Sequence, residues 1–572
     1  MKKLTHSAAA RAAAFILCLL CGLTALLCAA GYFMTRIDRD RTLPEPDSVS
    51  VYKNGIRVLL NNALQEERYT GEYPELPSGY SYVATDTSTG KVLYDGRTKN
   101  AVPLGISGGC SSGDRWIDVQ AYLEPKQTPG EELTLLRTSV GTLLRYQNAY
   151  LPVGIITAVL CILIGGALHL VPVKNRKMHG RDGFMAVALS WIALSLMGAL
   201  PYVLTGALDS YVDAVFETVS GLTTTGSTVF PEVEHLPYSV LLWRSLTQWM
   251  GGMGVLVLFL ALTPKLGEGA VFLMRAESPG PIKTKLVPKV GGTAKILYLI
   301  YVVLTLCEVL ALRLAGESWF SAVCHSFTTM ATGGFSIYDT SLAGASKAVM
   351  WIVTVFSFLA GVNFSLMFLS VRGRVKEALR SEELWIYVGM VTATTLLLCV
   401  NLWAQAGVGF HDSITDAAFQ TVTIITTTGF ATVDFALWPT FCRMALVMLM
   451  FTGGCAGSTS GGIKISRIAI LCKSLKRELK RLAHPNHVSV IKMDGQAVEE
   501  RVVSAASSFI CAYLLVLLAG ALVVSWDNYG FQESFAASLT CISNVGPGLG
   551  ILGPMENFSI LSPLSKLVLS LE

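Results

Sequence analysis

A fourteen-residue pattern that occurs four times constrains this chain more than any other feature of its sequence. The copies read DAVFETVSGLTTTG, SAVCHSFTTMATGG, DAAFQTVTIITTTG and ESFAASLTCISNVG, and they end at Gly226, Gly334, Gly429 and Gly546. Each copy starts with an acid or a residue type that caps helices, and the four starting residues are Asp213, Ser321, Asp416 and Glu533. Each continues as a short apolar stretch and then breaks into Thr, Ser or Asn. Because longer hydrophobic spans flank every copy, the pattern predicts four short helices that end in glycine turns at membrane depth.

These glycine turns indicate a cation pore. Irregular backbone is tolerated in the hydrocarbon region only where it is buried in protein or lines water. Glycine at positive φ lets successive carbonyls turn toward one axis, and a ring of carbonyls can replace the hydration shell of a cation. The C-terminal end of each short helix adds partial negative charge at that point. The alternative is that the glycines only permit close helix packing, but four equivalent loops favour one four-sided pore.

Composition places the chain in the membrane. The 572 residues are 52% hydrophobic and only 15% charged, whereas soluble domains carry about 25% charged residues. The formal net charge of +4 does not indicate a nucleic-acid partner, because the lysines and arginines lie in short loops between spans. The sequence therefore predicts a polytopic protein whose partners include the lipid bilayer.

The N-terminal part predicts two spans around a polar insertion. Residues 12–34 are predicted as a retained transmembrane helix, although the small residues 29–31 after the apolar run also fit a cleaved signal peptide. Residues 36–149 are polar and predict a small extracytoplasmic α/β or β-rich domain, with a hairpin in TDTSTGKVLYDG at 85–96. A second span follows at 150–172.

The rest of the chain repeats one unit: a long span, a short pore helix and another long span. The predicted spans lie near 184–204, 239–262, 294–315, 347–371, 385–404, 440–472 and 502–525, and a last helix starts near 558. The predicted units are residues 1–35 for the first helix, 36–149 for the insertion, 150–182 for the second helix and a basic loop, and 183–273, 274–372, 373–482 and 483–572 for four pore repeats.

Loop charge sets the predicted orientation. Lysine and arginine collect at 174–181, 283–295, 372–380 and 473–481, in loops that alternate with those carrying the glycine turns. The positive-inside rule puts the basic loops in the cytoplasm. The glycine turns then face outside, in a pseudo-fourfold arrangement about the membrane normal.

A second glycine-rich segment, GGCAGSTSGG at 453–462, interrupts the closing span of repeat 3. Glycine costs about 1 kcal/mol per site in a helix relative to alanine, so this segment is expected to unwind into a loop below the pore. We interpret the 453–462 loop as a movable gate, with a static packing kink as the alternative. No other span is predicted to have a comparable interruption. The candidate gate residues are Gly453, Gly454, Gly457, Ser458, Ser460, Gly461, Gly462 and Lys464.

Several motifs together resemble the TrkH/KtrB superfamily of potassium uptake proteins, and the TrkH branch most closely. They include SGLTTTGSTVF (220–230), QWMGGMGVLVL (248–258), ATGGFS (331–336), TTTGFATVD (426–434), GGCAGSTSGGIKISRI (453–468) and NVGPGLG (544–550). The resemblance implies an all-α membrane protein with four fused M1–P–M2 units and two additional N-terminal helices. It further implies that carbonyls around each loop glycine bind K⁺, at Thr224, Thr225, Gly226, Thr332, Gly333, Gly334, Thr427, Thr428, Gly429, Asn544, Val545 and Gly546.

The resemblance also implies partners and a location. The resemblance implies a homodimer in a bacterial-type plasma membrane. It also implies control by a cytoplasmic nucleotide-binding subunit of the TrkA/KtrA type. The basic loops at 283–295 and 473–486 are candidate docking surfaces, although positive-inside loops need no partner. The family's last helix continues through a Gly-Arg-Leu-Glu segment whose arginine faces the gate; because this chain ends at Glu572, we expect an incomplete last helix without that arginine.

Potassium transport, with K⁺ as the transported ion and no resident cofactor, is therefore the predicted function. A membrane sensor that uses residues 36–149 is the alternative, but the sequence lacks a kinase, cyclase or other catalytic signature. A membrane enzyme is disfavoured, because GSTSG at 457–461 has Thr459 at its centre and follows no strand.

Two acids at membrane depth are functional hypotheses by default, Glu217 and Glu308. Glu217 either adds negative potential near the pore or forms a structural hydrogen bond with a threonine, Gln248 or Arg244. His169 and His325 are lone histidines on apolar faces and are predicted to be structural.

Overall fold

The structure is a computed structural model that describes residues 80–86, 92–95, 102–112, 115–123, 180–254, 290–405, 409–484 and 489–572. The spans predicted at 12–34 and 150–172 lie outside the described residues. So do His169 and most of the basic loops at 174–181 and 283–295.

Four strands lie within the predicted polar insertion. They are β1 (Tyr80–Asp86), β2 (Val92–Asp95), β3 (Val102–Ser112) and β4 (Arg115–Leu123), and they form an antiparallel sheet of order β2-β1-β4-β3. The predicted hairpin corresponds to the β1–β2 pair, in which Val83 faces Asp95.

Repeat 1 contains a bent outer helix, a pore helix and an inner helix. These are α1 (Gly180–Gly198) with α2 (Leu200–Leu204), then α3 (Tyr211–Leu222) and α4 (Tyr238–Gly252). Pro201 lies in the first turn of α2, where its missing N–H is tolerated. The predicted span 184–204 matches one candidate span, Val187–Leu204, in which only Ala199 separates α1 from α2.

Repeat 2 contains α5 (Val290–Leu314), α6 (Trp319–Met330), α7 (Lys347–Ala360) and α8 (Phe364–Val371). The prediction of one continuous span at 347–371, and of no second interruption, is wrong, because α7 and α8 meet at 95°. Gly361 ends α7, and the Asn363 side chain caps α8 by accepting from Ser365 N–H over 2.8 Å. A small residue followed by a capping side chain makes this break locally stable.

Repeat 3 contains α9 (Val375–Ala378), α10 (Glu382–Gln405), α11 (Phe410–Ile425), α12 (Thr440–Thr452) and α13 (Ile465–Ala483). Repeat 4 contains a two-stranded pair, β5 (Lys492–Met493) and β6 (Gln496–Ala497), and α14 (Glu500–Val524), α15 (Phe531–Ser543) and α16 (Pro563–Leu571). The last helix starts at Pro563 rather than near 558, because residues 558–560 form a separate 3-10 turn and Ser562 caps α16.

The pore helices α3, α6, α11 and α15 start before the residues that the pattern named. Ser210 caps α3 by accepting from Asp213 N–H, and Ser318 caps α6 by accepting from Ser321 N–H. Asp213 and Ser321 are therefore third in their helices rather than caps. Asp416 and Glu533 also lie inside their helices, which are preceded by Gly409 and Gly530.

Burial divides lipid-facing from pore-facing surfaces. On α5 the side chains of Leu299, Val303, Leu306 and Leu310 are exposed, whereas Tyr301 on the same helix is fully buried. In the described residues, four stretches have the length and hydropathy of a span, and the bent pair α7–α8 makes a fifth if it counts as one span. Exposed apolar stripes on such helices are expected where lipid replaces water. The pore helices are shielded from the lipid-facing surface: nearly every residue of α11 is buried.

Candidate ion-conduction site

The four predicted ion-binding segments share one backbone conformation. We call residues 224–226, 332–334, 427–429 and 544–546 the glycine loops. Each starts with a residue at positive φ, with values of 61°, 56°, 57° and 57° at Thr224, Thr332, Thr427 and Asn544. Positive φ is unfavourable for a β-branched residue. Three threonines that adopt it at equivalent places mark strained backbone, which is common at functional sites.

The second residue of every glycine loop is tied back to its pore helix by the same hydrogen bond. Thr225 N–H donates to Ser220 O over 2.9 Å, and the equivalent bonds are Gly333 to Thr328 (2.9 Å), Thr428 to Thr423 (2.7 Å) and Val545 to Thr540 (2.9 Å). The four loops therefore have the same type of turn, although their sequences differ at most positions.

The glycines that close the four copies pack against one another in a closed ring. A Cβ added to Gly226 would lie less than 3.0 Å from Gly333 O, and likewise Gly334 faces Thr428 O, Gly429 faces Val545 O and Gly546 faces Thr225 O. The contacts follow chain order and return to the first loop. The four loops therefore surround one axis, and only glycine fits at these positions.

One cavity of about 80 Å³ is lined by all four of these glycines. Its wall also includes Arg244 and two acids, Asp339 and Glu556. The positive-inside prediction makes this cavity the outer mouth of the ring. It connects the four loops to one common space.

Carboxyl groups surround this mouth. Burial raises the pKa of Glu234, and the charge of Asp339 raises it further. Burial also raises the pKa of Asp434 and of Glu556, and the charge of Asp434 adds to the effect at Glu556. These groups lose negative charge at higher pH than ordinary carboxyls do.

Glu217 forms a buried ion pair instead of facing the ring. Its Oε1 lies 2.8 Å from Arg244 Nε, and its Oε2 accepts from Val229 N–H over 2.9 Å. Thr228 Oγ1 also bonds this carboxylate. Of the roles left open by the sequence, the structure therefore shows the hydrogen-bonded one, with Arg244 and a threonine as partners.

The other polar residues singled out from the sequence have simpler surroundings. The His325 ring lies between the hydroxyls of Ser321 and Ser336, 3.3 and 3.5 Å away, as expected for a structural histidine. Glu308 is fully buried in α5, where its carboxyl group interacts with the Thr329 side chain. Within the described residues, no group of three His, Cys, Asp or Glu side chains forms a metal centre.

The 453–462 loop lies directly against the glycine loops of repeats 3 and 4. Gly461 N–H donates to Thr427 Oγ1 over 2.7 Å, and a Cβ on Gly461 would collide with Ser543 O. Gly453, Gly457 and Gly462 have positive φ. The predicted break in the closing span of repeat 3 is thus present, and it contacts the ring.

Polar contacts shape the inside of this loop. The hydroxyls of Ser458 and Ser460 are 2.7 Å apart, Lys464 Nζ donates to Ser460 O, and a Cβ on Gly454 would meet Ser460 Oγ. All of the predicted gate residues therefore belong to one connected segment.

The sequence reasoning missed the residues that hold this loop from outside. Glu383, at the start of α10, accepts from Ala456 N–H over 2.7 Å and from Ser466 N–H over 3.2 Å. The α7–α8 break supplies Gly361 O to Cys455 N–H, while Phe364 N–H donates to Gly457 O. In the sequence, the available signal for Glu383 was an acid at the start of an apolar span.

Known proteins match the membrane part of the chain. The TrkH family profile, described as "Cation transport protein", matches residues 151–572. The chain is 40% identical over 410 residues to the Trk system potassium uptake protein TrkH of Escherichia coli strain K12, covering 69% of this chain and 83% of that protein. It is 34% identical over 426 residues to the Trk system potassium uptake protein TrkG of the same strain, covering 74% and 87%.

A solved structure matches as well. The crystal structure of the potassium transporter TrkH from Vibrio parahaemolyticus aligns with a TM-score of 0.66 and 34% sequence identity, covering 77% of this chain and 93% of that chain. The family match starts at residue 151, so the sheet of β1–β4 lies outside it.

Proposed function

This chain belongs to the TrkH family of cation transport proteins, and we propose that it conducts K⁺ into the cell through a pore enclosed by its four glycine loops. It is a multi-pass plasma-membrane protein, and the proteins it resembles are potassium transporters rather than enzymes. The observation that carries the proposal is the closed ring of glycine–carbonyl contacts, which surrounds one axis below a shared mouth.

The chemistry of the ring suits an unhydrated monovalent cation. Carbonyl oxygens from the glycine loops replace hydration water, and the C-terminal ends of α3, α6, α11 and α15 direct partial negative charge to the same place. The charge of Arg244, beside the ring, is neutralised by Glu217. No acid or base is needed at the ring, because conduction changes no covalent bond.

We also propose that the 453–462 loop closes the pore from the cytoplasmic side. Its contacts with Thr427 and Ser543, next to the ring, support this role. A cation that leaves the glycine loops toward the cytoplasm meets this segment first, so displacement of the loop is the natural opening movement.

Two further proposals concern partners. On α13 the exposed Leu475, Leu479 and Leu482 form one apolar stripe, beside the exposed Lys476 and Lys480. This surface supports the expected cytoplasmic nucleotide-binding subunit, and the family resemblance supports a homodimer with one pore per subunit. The sensor role of residues 36–149 remains a prediction.

The test is ⁸⁶Rb⁺ uptake into proteoliposomes that contain the purified 572-residue chain. We expect uptake by this chain and none by Gly429→Ser, because the new side chain would occupy the position of Val545 O. Gly344→Ser is the matched control, since nothing lies within 4 Å of a Cβ at this exposed glycine. Equal uptake by the Gly429 variant and the control would refute the glycine ring as the ion path.

A further inference from the structure

Gln248 is a fully buried side chain of α4 that extends from repeat 1 to the glycine loop of repeat 2. Its Nε2 donates to Gly333 O over 2.7 Å, and its Oε1 accepts from Phe335 N–H over 3.1 Å. The two hydrogen bonds hold the backbone on both sides of Gly334. One side chain thus restrains the glycine loop of another repeat.

The carbonyl that Gln248 binds is a member of the ring. Gly333 O is the atom against which Gly226 packs, and Thr428 O, Val545 O and Thr225 O occupy the equivalent places. A backbone carbonyl has two lone pairs. Gly333 O can therefore accept from Gln248 at the back of the loop while it still presents a lone pair toward the axis.

The sequence of the repeat 2 loop is adapted to this amide. The position that Gly333 occupies is Thr225, Thr428 or Val545 in the other loops. A Cβ on Gly333 would lie 2.5 Å from Gln248 Cδ, so glycine makes room for the amide. Two adjacent glycines leave the backbone unusually free, and the hydrogen bonds from Gln248 restrict that freedom.

The same helix holds the segment at a further point. Arg244, one turn before Gln248, donates to Ser336 O over 3.0 Å, and its guanidinium lies over the Phe335 ring. Glu217 fixes Arg244 from repeat 1. The backbone from 333 to 336 is therefore attached to a rigid buried surface.

We propose that Gln248 is a positioning residue that sets the K⁺ over Na⁺ discrimination of the pore; this inference rests on the proposed function. The Gln248 amide keeps Gly333 O from moving inward to contact a smaller ion. Its N–H also draws electron density from that carbonyl. A carbonyl of weaker field offsets less of the dehydration cost of Na⁺, which holds water more tightly than K⁺ does.

The test compares ⁸⁶Rb⁺ and ²²Na⁺ uptake by proteoliposomes that contain the full chain or Gln248→Met. Methionine has a similar volume but forms neither hydrogen bond. We expect the Rb⁺/Na⁺ uptake ratio to fall about fivefold, the factor that corresponds to one hydrogen bond of about 1 kcal/mol. The decrease is expected to come mainly from faster Na⁺ uptake, a result that a loss of folded protein would not produce.

Gln420→Met is the matched control. Gln420 is equally buried, and its amide has no hydrogen-bond partner among the described residues. Its replacement should leave the ratio unchanged. Gln248→Leu is the second variant if Gln248→Met does not fold: leucine also forms neither hydrogen bond, so the ratio should fall again.

An unchanged ratio in a folded Gln248 variant would overturn the inference and leave the proposed function intact. A fall of the same size in Gln420→Met would also overturn it, because the effect would then result from the loss of any buried amide. Absence of Rb⁺ uptake by the unmodified chain would instead refute the proposed function and the inference with it.

Discussion

The glycine loops and the 453–462 loop are both glycine-rich helix breaks at membrane depth, yet they are held in different ways. Each glycine loop is fixed by the backbone of the next, since Gly334 packs on Thr428 O and Gly429 on Val545 O. The 453–462 loop is fixed mainly by groups from elsewhere, among them the Glu383 carboxylate and the backbone around Gly361.

This difference explains how one chain can combine a rigid element with a movable one. A closed ring of backbone contacts has no free end, so one loop cannot move without displacing its neighbour. Hydrogen bonds to a few groups outside the loop can break and re-form at a cost of about 1 kcal/mol each. In the proposed function, similar composition therefore serves selectivity in one place and gating in the other.

The largest expected effect comes from breaking the ring. Gly334→Ala should reduce ⁸⁶Rb⁺ uptake at least about a hundredfold, because its Cβ overlaps Thr428 O and the residue has positive φ. Gly546→Ala should retain more uptake, since its Cβ would lie 2.7 Å from Thr225 O, the longest of the four distances. Gly389→Ala, on an open helix surface, serves as the control; equal uptake in all three variants would contradict the ring.

The next effect concerns the ion pair that supports the ring. Glu217→Gln and Arg244→Met should each destabilise the folded protein by about 3–5 kcal/mol, because each leaves a buried charge unpaired. Thermal unfolding in detergent measures this loss. The double variant Glu217→Gln with Arg244→Met should lose less than the sum of the single losses. Altered ion flux in Glu217→Gln at unchanged stability would instead favour a direct effect of its charge on the ion.

A smaller effect is expected at the movable loop. Glu383→Gln should increase basal ⁸⁶Rb⁺ flux roughly tenfold, because a neutral amide oxygen binds Ala456 N–H and Ser466 N–H more weakly than a carboxylate does. Glu377→Gln removes an exposed pair with Arg374 and should have little effect. Reduced flux in Glu383→Gln would mean that the carboxylate holds the loop open rather than closed.

The smallest effect concerns the mouth above the ring. Lowering the external pH from about 7.5 to about 5 should reduce uptake about twofold at low ionic strength. The raised pKa values of Glu234, Asp434 and Glu556 make these groups lose negative charge at a higher pH than ordinary carboxyls do. Glu556→Gln should flatten the pH profile. A steeper profile in this variant would show that other groups control the response.

The sequence predicted the features that repeat. The four copies of one pattern located the pore helices and their terminal glycines, and glycine content located the break at 453–462. The start of the pore helices was misplaced because the true caps, Ser210 and Ser318, lie outside the repeated pattern. The break at 361–363 was missed because one glycine two residues before an asparagine is a weak local signal. The contacts of Cys455 and Gly457 stabilise the break from another repeat.

By itself, the sequence determined the membrane class, the number of pore helices and the place of each glycine turn, because these depend on local hydropathy and on glycine itself. Only the tertiary structure decided that Gly226 faces Gly333, that Glu217 pairs with Arg244 and that Gln248 holds Gly333. The Glu217–Arg244 pair joins two helices of one repeat, and the other two contacts join different repeats. No local pattern encodes them, because they exist only after the helices have packed around one axis.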